Sequence, residues 1–344
     1  ISCSLVGSEM CIRDRFYKES KDDASFYPQL GQKGCSALVH SVYMQIQVPF
    51  FTTFRYYNPQ AHLLFFTNLR KADLPNFLTD LFLRLHVEII TLPYTCRPPK
   101  HWYAAWQNQF YLYDILKEMG KRMTEQDTLL ISDADCLCRT SLNGLFNRTR
   151  EDGSALYEFI TDRQYSINGI TLPQMEAFYR ACYKEDIKQP LTYYGGEFIT
   201  LRGDTVNRIN EAYPSLWQFN LEYGKEHTYK LNEEAHVLSI LAAHLQLRNT
   251  TANQYVKRMW TSPQFNNVAP GDENYPVWHL PYEKKRGLYR LYKLLSKEQK
   301  IKDESKFWEK ASLYNGIPTI GFPKKINDFI LSLIQKKRQL FNQS

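Results

Sequence analysis

The stretch DTLLISDADCLC, residues 127–138, indicates both the fold class and the chemistry of this chain. Residues 128–132 form a short, mostly apolar run, which is typical of a strand buried in a parallel sheet. Asp133 and Asp135 follow directly and are separated by one residue. Two carboxylates at the end of a buried strand suit Mg²⁺ or Mn²⁺, which bind carboxylates together with phosphate oxygens of a substrate. An acidic turn at a strand end is the alternative interpretation.

The segments before this stretch alternate between strand and helix patterns. The strand patterns cover residues 37–48, 61–67 and 87–92, and the helix patterns cover residues 74–85 and 103–119. Short buried strands that alternate with amphipathic helices predict an α/β fold, with a mostly parallel central sheet and helices on both faces. Ligands of such sheets bind beyond the carboxyl ends of the strands, which is where the two aspartates lie.

The second half of the chain is less regular. Strands are predicted over residues 155–160 and 198–201, helices over residues 205–223 and 232–245, and loops over residues 255–282. Neither a repeat nor an obvious linker interrupts these patterns. We therefore predict one catalytic domain over residues 36–286, followed by a basic helical extension over residues 287–344.

The charge of the chain is concentrated near its C-terminus. The chain has 344 residues and a net charge of +7, and residues 283–338 contain fifteen Lys or Arg against six Asp or Glu. Such a segment favours an anionic partner, or it is a solvated helical surface. The basic residues are not interleaved with stacking motifs, so we expect no nucleic acid partner. Residues 326–341 also have an amphipathic pattern, which predicts either packing on the domain or peripheral membrane association.

The first fifteen residues, ISCSLVGSEMCIRDR, resemble translated sequencing-adaptor sequence. We therefore predict that residues 1–15 are a non-native artefact outside the fold. The remaining five cysteines are odd in number and lack framework spacing, which favours a reducing, cytoplasmic compartment over a disulfide scaffold. A secretory lumen stays open as an alternative, because sequons occur at Asn147 and Asn249. The chain contains no run of eighteen apolar residues, so the sequence predicts no transmembrane helix.

Several segments together resemble the GT-A glycosyltransferases, in particular the glycogenin-like and galactosyltransferase-like group. The segments are LLISDADCLCRTSLNGLF (129–146), YYGGEFITLRGD (193–204), NEEAHVLSIL (232–241) and WHLP (278–281). The resemblance covers residues 38–286 and is most specific at the Asp-x-Asp motif. It implies a GT-A, Rossmann-like fold and transfer of a sugar from a nucleotide-sugar donor.

The resemblance also implies roles for single residues. In that group a His completes the metal site and a Lys six residues later meets the diphosphate, which correspond here to His279 and Lys285. A glycine expected between them is replaced by Tyr282. The predicted metal ligands are therefore Asp133, Asp135 and His279, while Asp133 and Lys285, or the neighbouring Lys284, would approach the donor diphosphate. His279 has a competing interpretation as an ordinary core or surface histidine.

Two further groups of residues are candidates for the site. Glu233 and Glu234 begin a predicted helix and are the candidate catalytic base or positioning carboxylate. Their alternative role is electrostatic, since acidic residues after an N-cap such as Asn232 stabilise a helix. Donor or acceptor contacts are predicted for Gly195, Gly196, Glu197 and, in the loop after the third predicted strand, Arg97. A solvent-exposed arginine is the alternative for Arg97.

The sequence therefore predicts a metal-dependent glycosyltransferase that uses Mn²⁺ or Mg²⁺ and a nucleotide-sugar donor, with a UDP-sugar as the first expectation. The acceptor would be a hydroxyl of a glycan, a lipid-linked sugar or a protein. The second hypothesis is a non-catalytic GT-A-like protein that binds a nucleotide or a glycan without turnover.

Overall fold

A computed structural model of the chain describes residues 10–21, 25–103, 105, 107–159, 162–247, 251–262 and 264–341. The strands are β1 (Met10–Phe16), β2 (Phe26–Tyr27), β3 (Gln32–Lys33), β4 (His62–Thr67), β5 (Val87–Thr91), β6 (Thr128–Ser132), β7 (Cys136–Cys138), β8 (Ser154–Glu158), β9 (Tyr194–Arg202), β10 (Val256–Arg258) and β11 (Val277–His279). The helices are α1 (Ala37–Tyr57), α2 (Asn76–Arg84), α3 (Tyr111–Arg122), α4 (Asn143–Asp152), α5 (Leu172–Tyr183), α6 (Gly203–Glu226), α7 (Glu234–His244), α8 (Gly287–Glu298), α9 (Glu304–Asn315) and α10 (Phe322–Phe341).

A six-stranded sheet with the order β5-β4-β1-β6-β9-β8 forms the centre of the described chain. Strands β5, β4, β1 and β6 are parallel, while β9 runs antiparallel to both β6 and β8. A smaller sheet with the order β10-β11-β7 lies beside it. This architecture confirms the predicted α/β class with a mostly parallel central sheet.

Alternate residues of the central strands enter two different hydrophobic cores. Ile12 is in register with Leu63 and Leu130, and all three belong to one core, which also contains Phe50 of α1. Leu64 and Ile131 point to the other core, where the residues of α3 and α7 are buried. Side chains of a strand alternate between the two faces of a sheet. Helices therefore cover both faces, as predicted.

The strand predicted for residues 37–48 is wrong, because these residues form the first half of α1. The helix begins after Ser36, whose side chain accepts a hydrogen bond from the Val39 amide at 3.3 Å. Apolar and β-branched residues suggested a strand, but a helix that is buried on most of its surface also lacks a clear polar face. Tertiary burial, and not local preference, decided this segment.

The prediction that residues 1–15 lie outside the fold is wrong for residues 10–15. Strand β1 lies between β4 and β6 and is parallel to both. The catalytic domain predicted to begin at residue 36 thus omits a central strand. Residues 1–9 lie outside the described part of the chain, and the non-native origin of the segment stays a prediction.

Most other predicted elements are present, with shifted ends. The helix predicted over residues 103–119 begins only at Tyr111, after a short 3₁₀ turn at Gln107–Phe110. Trp106, which belongs to the predicted helix, lies outside the described residues. The helices predicted over 205–223 and 232–245 correspond to α6 and α7.

The C-terminal segment forms α8, α9 and α10. Helix α8 packs in the same core as α1 through Leu288, Leu291 and Leu295. In contrast, Ile326, Phe329, Ile330 and Leu333 of α10 are exposed, which argues against the expectation that they pack on the domain. The side chains of Ile334 and Phe341, also predicted in that apolar pattern, lie outside the described residues. None of the described helices is long and apolar enough to cross a membrane.

Candidate functional site

A cleft opens at one edge of the central sheet, where β1 and β6 end and β9 begins. Its wall includes Asp133 after β6, Gly196 and Glu197 of β9, and Glu234 at the start of α7. Because β9 is antiparallel to β6, the start of β9 lies beside the end of β6. The topology thus brings together three segments that are far apart in sequence.

Asp133, Asp135 and His279 form the centre of this cleft. Strand β6 is fully buried and delivers Asp133 at its end, while Asp135 immediately precedes β7. His279 lies in β11, which pairs antiparallel with β7 and places His279 opposite Cys136. One ligand atom from each of the three residues lies within 4.8 Å of the others. The structure therefore brings the three predicted metal ligands together.

The two aspartates experience different electrostatic environments. Burial raises the pKa of Asp133, and the neighbouring Asp135 adds to this effect, although Arg15 opposes it. Burial also disfavours the charged form of Asp135, but Lys284 and His279 outweigh it and hold the pKa of Asp135 well below its usual value. The surroundings thus favour the charged form of Asp135 more than that of Asp133.

The residues present fit a divalent cation of the Mn²⁺ or Mg²⁺ type. They offer two hard carboxylate oxygens and one imidazole nitrogen, which is a donor set suited to such ions. His279 Nε2 lies 3.4 Å from Asp135 Oδ2, and His279 Nδ1 has no hydrogen-bond partner among the described residues. Each aspartate also faces a cation of the chain, since Arg15 Nη2 is 3.6 Å from Asp133 Oδ1 and Lys284 contacts Asp135.

Of the two candidate lysines, only Lys284 reaches the cluster of Asp133, Asp135 and His279. Its ammonium is buried and donates a hydrogen bond to Asp135 Oδ2. Lys285 points elsewhere and donates to the Leu30 carbonyl oxygen at 3.2 Å. The spacing expected from the family resemblance selected Lys285, but the short 3₁₀ turn Pro281–Glu283 turns its neighbour toward the cleft.

Glu233 and Glu234 are both buried at the start of α7 but have different partners. The Glu233 carboxylate accepts hydrogen bonds from the Tyr193 hydroxyl and from the Asn168 amide. Glu234 Oε1 lies 3.5 Å from Arg15 Nη2, and its Oε2 has no hydrogen-bond partner in the described structure. Burial raises the pKa of Glu234 to about 8, although Arg15 opposes this shift.

The Gly-Gly-Glu segment lies against this carboxylate. A Cβ atom on Gly196 would overlap Glu234 Oε1, so a larger residue would displace the carboxylate. The Glu197 carbonyl accepts a hydrogen bond from the Asp133 amide at 3.1 Å. Glu197 Oε1 lies 3.4 Å from Arg258 Nη1. Gly195 precedes them in β9 and is buried.

Arg97 lies one side chain away from the cleft. Its guanidinium donates to the Tyr17 hydroxyl and, at 3.1 Å, to the Tyr94 carbonyl, and it lies over both tyrosine rings. Tyr17 lines the cleft, whereas Arg97 is behind it. The structure thus places Arg97 among aromatic residues and not beside the predicted metal ligands.

Arg258 is a residue of the cleft that the sequence did not indicate. It lies in β10 in register with His279 of the parallel neighbour β11. Its guanidinium faces Glu197 and packs over the rings of Phe159 and Trp260 at 5.7 and 5.4 Å. Residues 255–282 were predicted to be loops, so the pairing that brings Arg258 beside His279 had no sequence signal.

Comparisons with known proteins give matches only among solved structures. No protein-family model and no curated protein matches the chain. The chain is similar to the apo structure of the bifunctional glycosyltransferase WbbM, with a TM-score of 0.48, 9% identity, and coverage of 81% of this chain and 47% of that one. It thus spans about half of WbbM. It is also similar to mouse xyloside xylosyltransferase 1, with a TM-score of 0.45, 8% identity, and coverage of 79% and 98%.

Proposed function

We propose that this protein is a metal-dependent glycosyltransferase that moves a sugar from a nucleotide-sugar donor to an acceptor hydroxyl. The observation that carries the proposal is the cluster of Asp133, Asp135 and His279 in the cleft at the end of β6. Such a donor ends in a diphosphate, which is the kind of ligand that completes a carboxylate-bound Mg²⁺ or Mn²⁺ site. We propose Mn²⁺ or Mg²⁺ as the cofactor and a UDP-sugar as the first donor to test.

The cations around the cluster suit a leaving diphosphate. Asp133, Asp135 and His279 would hold the metal ion, which supplies positive charge to stabilise the negative charge that develops on the departing phosphate. Lys284, already within reach of Asp135, adds a second positive charge at the same place. Arg258 adds a third charge from the neighbouring strand, where Glu197 orients it at 3.4 Å.

Glu234 is the proposed base for the acceptor hydroxyl. A base works best when its pKa lies near the working pH, and burial raises the pKa of Glu234 to about 8. Its Oε2 atom has no hydrogen-bond partner among the described residues, so it can accept one from an acceptor. Glu233 is held by Tyr193 and Asn168 and is proposed to position the start of α7 and the acceptor.

The remaining partner assignments follow from the same proposal. Gly195, Gly196 and Glu197 would lie beside the donor and acceptor sugars, because they line or adjoin the cleft. Arg97 would act on the donor only through Tyr17. A glycan or glycoconjugate is the proposed acceptor. We propose a cytoplasmic location, because the five cysteines after residue 15 are odd in number and lack the spacing of a disulfide framework.

A donor screen tests this function directly. UDP-, GDP- and CMP-sugars are each tested for thermal stabilisation of the chain with and without Mn²⁺, since a ligand that binds only the folded state raises the unfolding midpoint. We expect stabilisation by one donor class that requires Mn²⁺ and that is lost in Asp135→Ala and mostly lost in Asp135→Asn. Turnover by Asp135→Ala in chelator-treated buffer would refute the metal-dependent mechanism.

One observation favours the second candidate function, a domain that binds a nucleotide or glycan without turnover. Both aspartates already face cations of the chain, Arg15 and Lys284, so the carboxylates have charge partners without a metal ion. Slow donor hydrolysis with Mn²⁺ and without acceptor separates the two functions. Hydrolysis above the Asp135→Ala background supports the enzyme, while tight binding without any hydrolysis or transfer supports the binding protein.

A further inference from the structure

Helix α10 exposes a continuous apolar stripe, which we call the α10 stripe. It consists of Phe322, Ile326, Phe329, Ile330 and Leu333, with exposed fractions of 74, 43, 64, 47 and 49%. The spacing of four, three, one and three residues places these side chains along one side of a helix. Exposed apolar residues scattered singly are ordinary, but a contiguous stripe of bulky ones marks an interaction surface.

A buried ion pair joins the first turn of α10 to the rest of the described chain. Lys324 is fully buried, and its ammonium lies 2.9 Å from Glu283 Oε1 and 2.6 Å from Asp328 Oδ2. Glu283 also accepts hydrogen bonds from the Thr261 hydroxyl and, at 3.0 Å, from the Gly287 amide. A buried ion pair of this kind fixes the start of the helix, so the exposed stripe has a defined direction relative to the domain.

The charge of the helix indicates the chemistry of its partner. Residues 322–341 contain five Lys or Arg, one Asp and no Glu, a net charge of +4. Lys325 is exposed near the beginning, and three of the basic residues occur together at 336–338. Basic residues that flank an apolar stripe are typical of helices that lie at the surface of an anionic bilayer.

We propose that α10 docks the protein on an anionic lipid surface, with the α10 stripe entering the boundary between headgroups and acyl chains. A second copy of the chain would bring two helices of the same strong positive charge together, which opposes self-association. None of the described helices spans a bilayer, so the helix would lie in the plane of the surface. The proposal stands independently of the proposed transferase activity.

The position of the anchor connects this surface with the cleft. Glu283, which binds Lys324 of α10, directly precedes Lys284, which contacts Asp135. The start of the membrane-bound helix would thus contact the residue that precedes Lys284, whose ammonium contacts Asp135 in the cleft. Under the proposed transferase function, on which this last point rests, the arrangement suits an acceptor that is itself held at the membrane surface.

Flotation of the full chain with lipid vesicles tests the proposal. We expect co-flotation with vesicles of phosphatidylcholine and phosphatidylserine, weaker binding to phosphatidylcholine alone, and weaker binding at high salt. The double variant Ile326→Gln/Ile330→Gln introduces good helix formers but removes two apolar side chains. Its binding to the vesicles should be weaker than that of the parent by a factor of at least about ten. Circular dichroism and the unfolding midpoint verify that the variant is folded.

Matched controls are available on other helices. Leu83 of α2 and Leu313 of α9 are 78 and 46% exposed, and Leu83→Gln/Leu313→Gln should bind vesicles as the parent does. Equal loss of binding in the control variant would overturn the role of the α10 stripe. The absence of co-flotation of the parent at low salt would overturn the proposal, as would a dimer in sedimentation that Ile326→Gln/Ile330→Gln converts to a monomer without any vesicle binding.

Discussion

Replacing Arg13 with Met is expected to stabilise the protein. Arg13 is fully buried in β1, in register with Leu64 and Ile131, whose side chains lie in one of the two hydrophobic cores. Its Nε, Nη1 and Nη2 atoms have no hydrogen-bond partner among the described residues. Burial lowers the pKa of Arg13 well below its usual value, which shows how poorly this position accommodates a charge.

The expected gain in the free energy of unfolding follows from two costs of burying Arg13 and one favourable contact that partly offsets them. Removing a charged group from water costs several kcal/mol, and a buried polar group without a partner costs about 1–3 kcal/mol. The Arg13 guanidinium lies 5.6 Å from the centre of the Phe66 ring, and such a contact returns roughly 1–2 kcal/mol. Replacing buried ionic residues with apolar ones of similar volume stabilises proteins by about 1–4 kcal/mol. We therefore expect Arg13→Met to raise the free energy of unfolding by about 2–3 kcal/mol.

Denaturant unfolding of the parent and the variant measures this difference, with the slope of the transition compared to detect a change in the unfolded state. Arg55 is the matched control, because its guanidinium donates to the carbonyls of Leu85 and Ala61 at 2.9 and 2.8 Å. Arg55→Met should destabilise the protein. A variant Arg13→Met that is less stable than the parent by more than about 1 kcal/mol would refute the reasoning. A gain would agree with the prediction that residues 1–15 are not native.

Glu234→Gln should lower turnover by about 100-fold or more, because a general base contributes a factor of about that size, and should change donor affinity little. Unchanged turnover together with lower thermal stability would show that Glu234 only stabilises the start of α7. Lys284→Met should weaken donor binding about tenfold and Lys285→Met much less, since only Lys284 contacts Asp135; equal effects in a titration would contradict the geometry. Burial raises the pKa of Asp14 to about 8, so the folded state keeps a proton that the unfolded chain loses near pH 4, and stability falls between these values. Asp14→Asn should be more stable than the parent by up to roughly 5 kcal/mol at pH 8 and lose this advantage near pH 4. A difference in the free energy of unfolding that does not change with pH would contradict the raised pKa of Asp14.

Local sequence patterns determined several of the strands around Asp133, Asp135 and His279. The run at residues 128–132 is β6, and the patterns at 61–67 and 87–92 are β4 and β5. These strands are short and mostly apolar, so the sequence itself indicates that they are buried. The position of Asp133 and Asp135 at the end of a buried strand follows from the same pattern.

Other segments depended on their environment in the folded chain. Residues 37–48 form a helix because the surrounding core buries that helix on most sides, which removes the polar face that would have identified it. Residues 10–16 are a central strand, although the resemblance of residues 1–15 to adaptor sequence excluded that segment from the predicted fold. Neighbouring strands β4 and β6 decide its place.

The composition of the cleft shows the same division. Sequence alone indicated Asp133, Asp135, His279 and the glutamates at the start of α7, because each belongs to a recognisable segment. The tertiary structure decided that Lys284 and not Lys285 reaches Asp135, and that Arg258 joins the cleft. These contacts join residues more than 60 positions apart, through the pairing of β10, β11 and β7. Long-range pairing of short strands leaves no periodic signal in the chain, so only the folded structure could place these side chains.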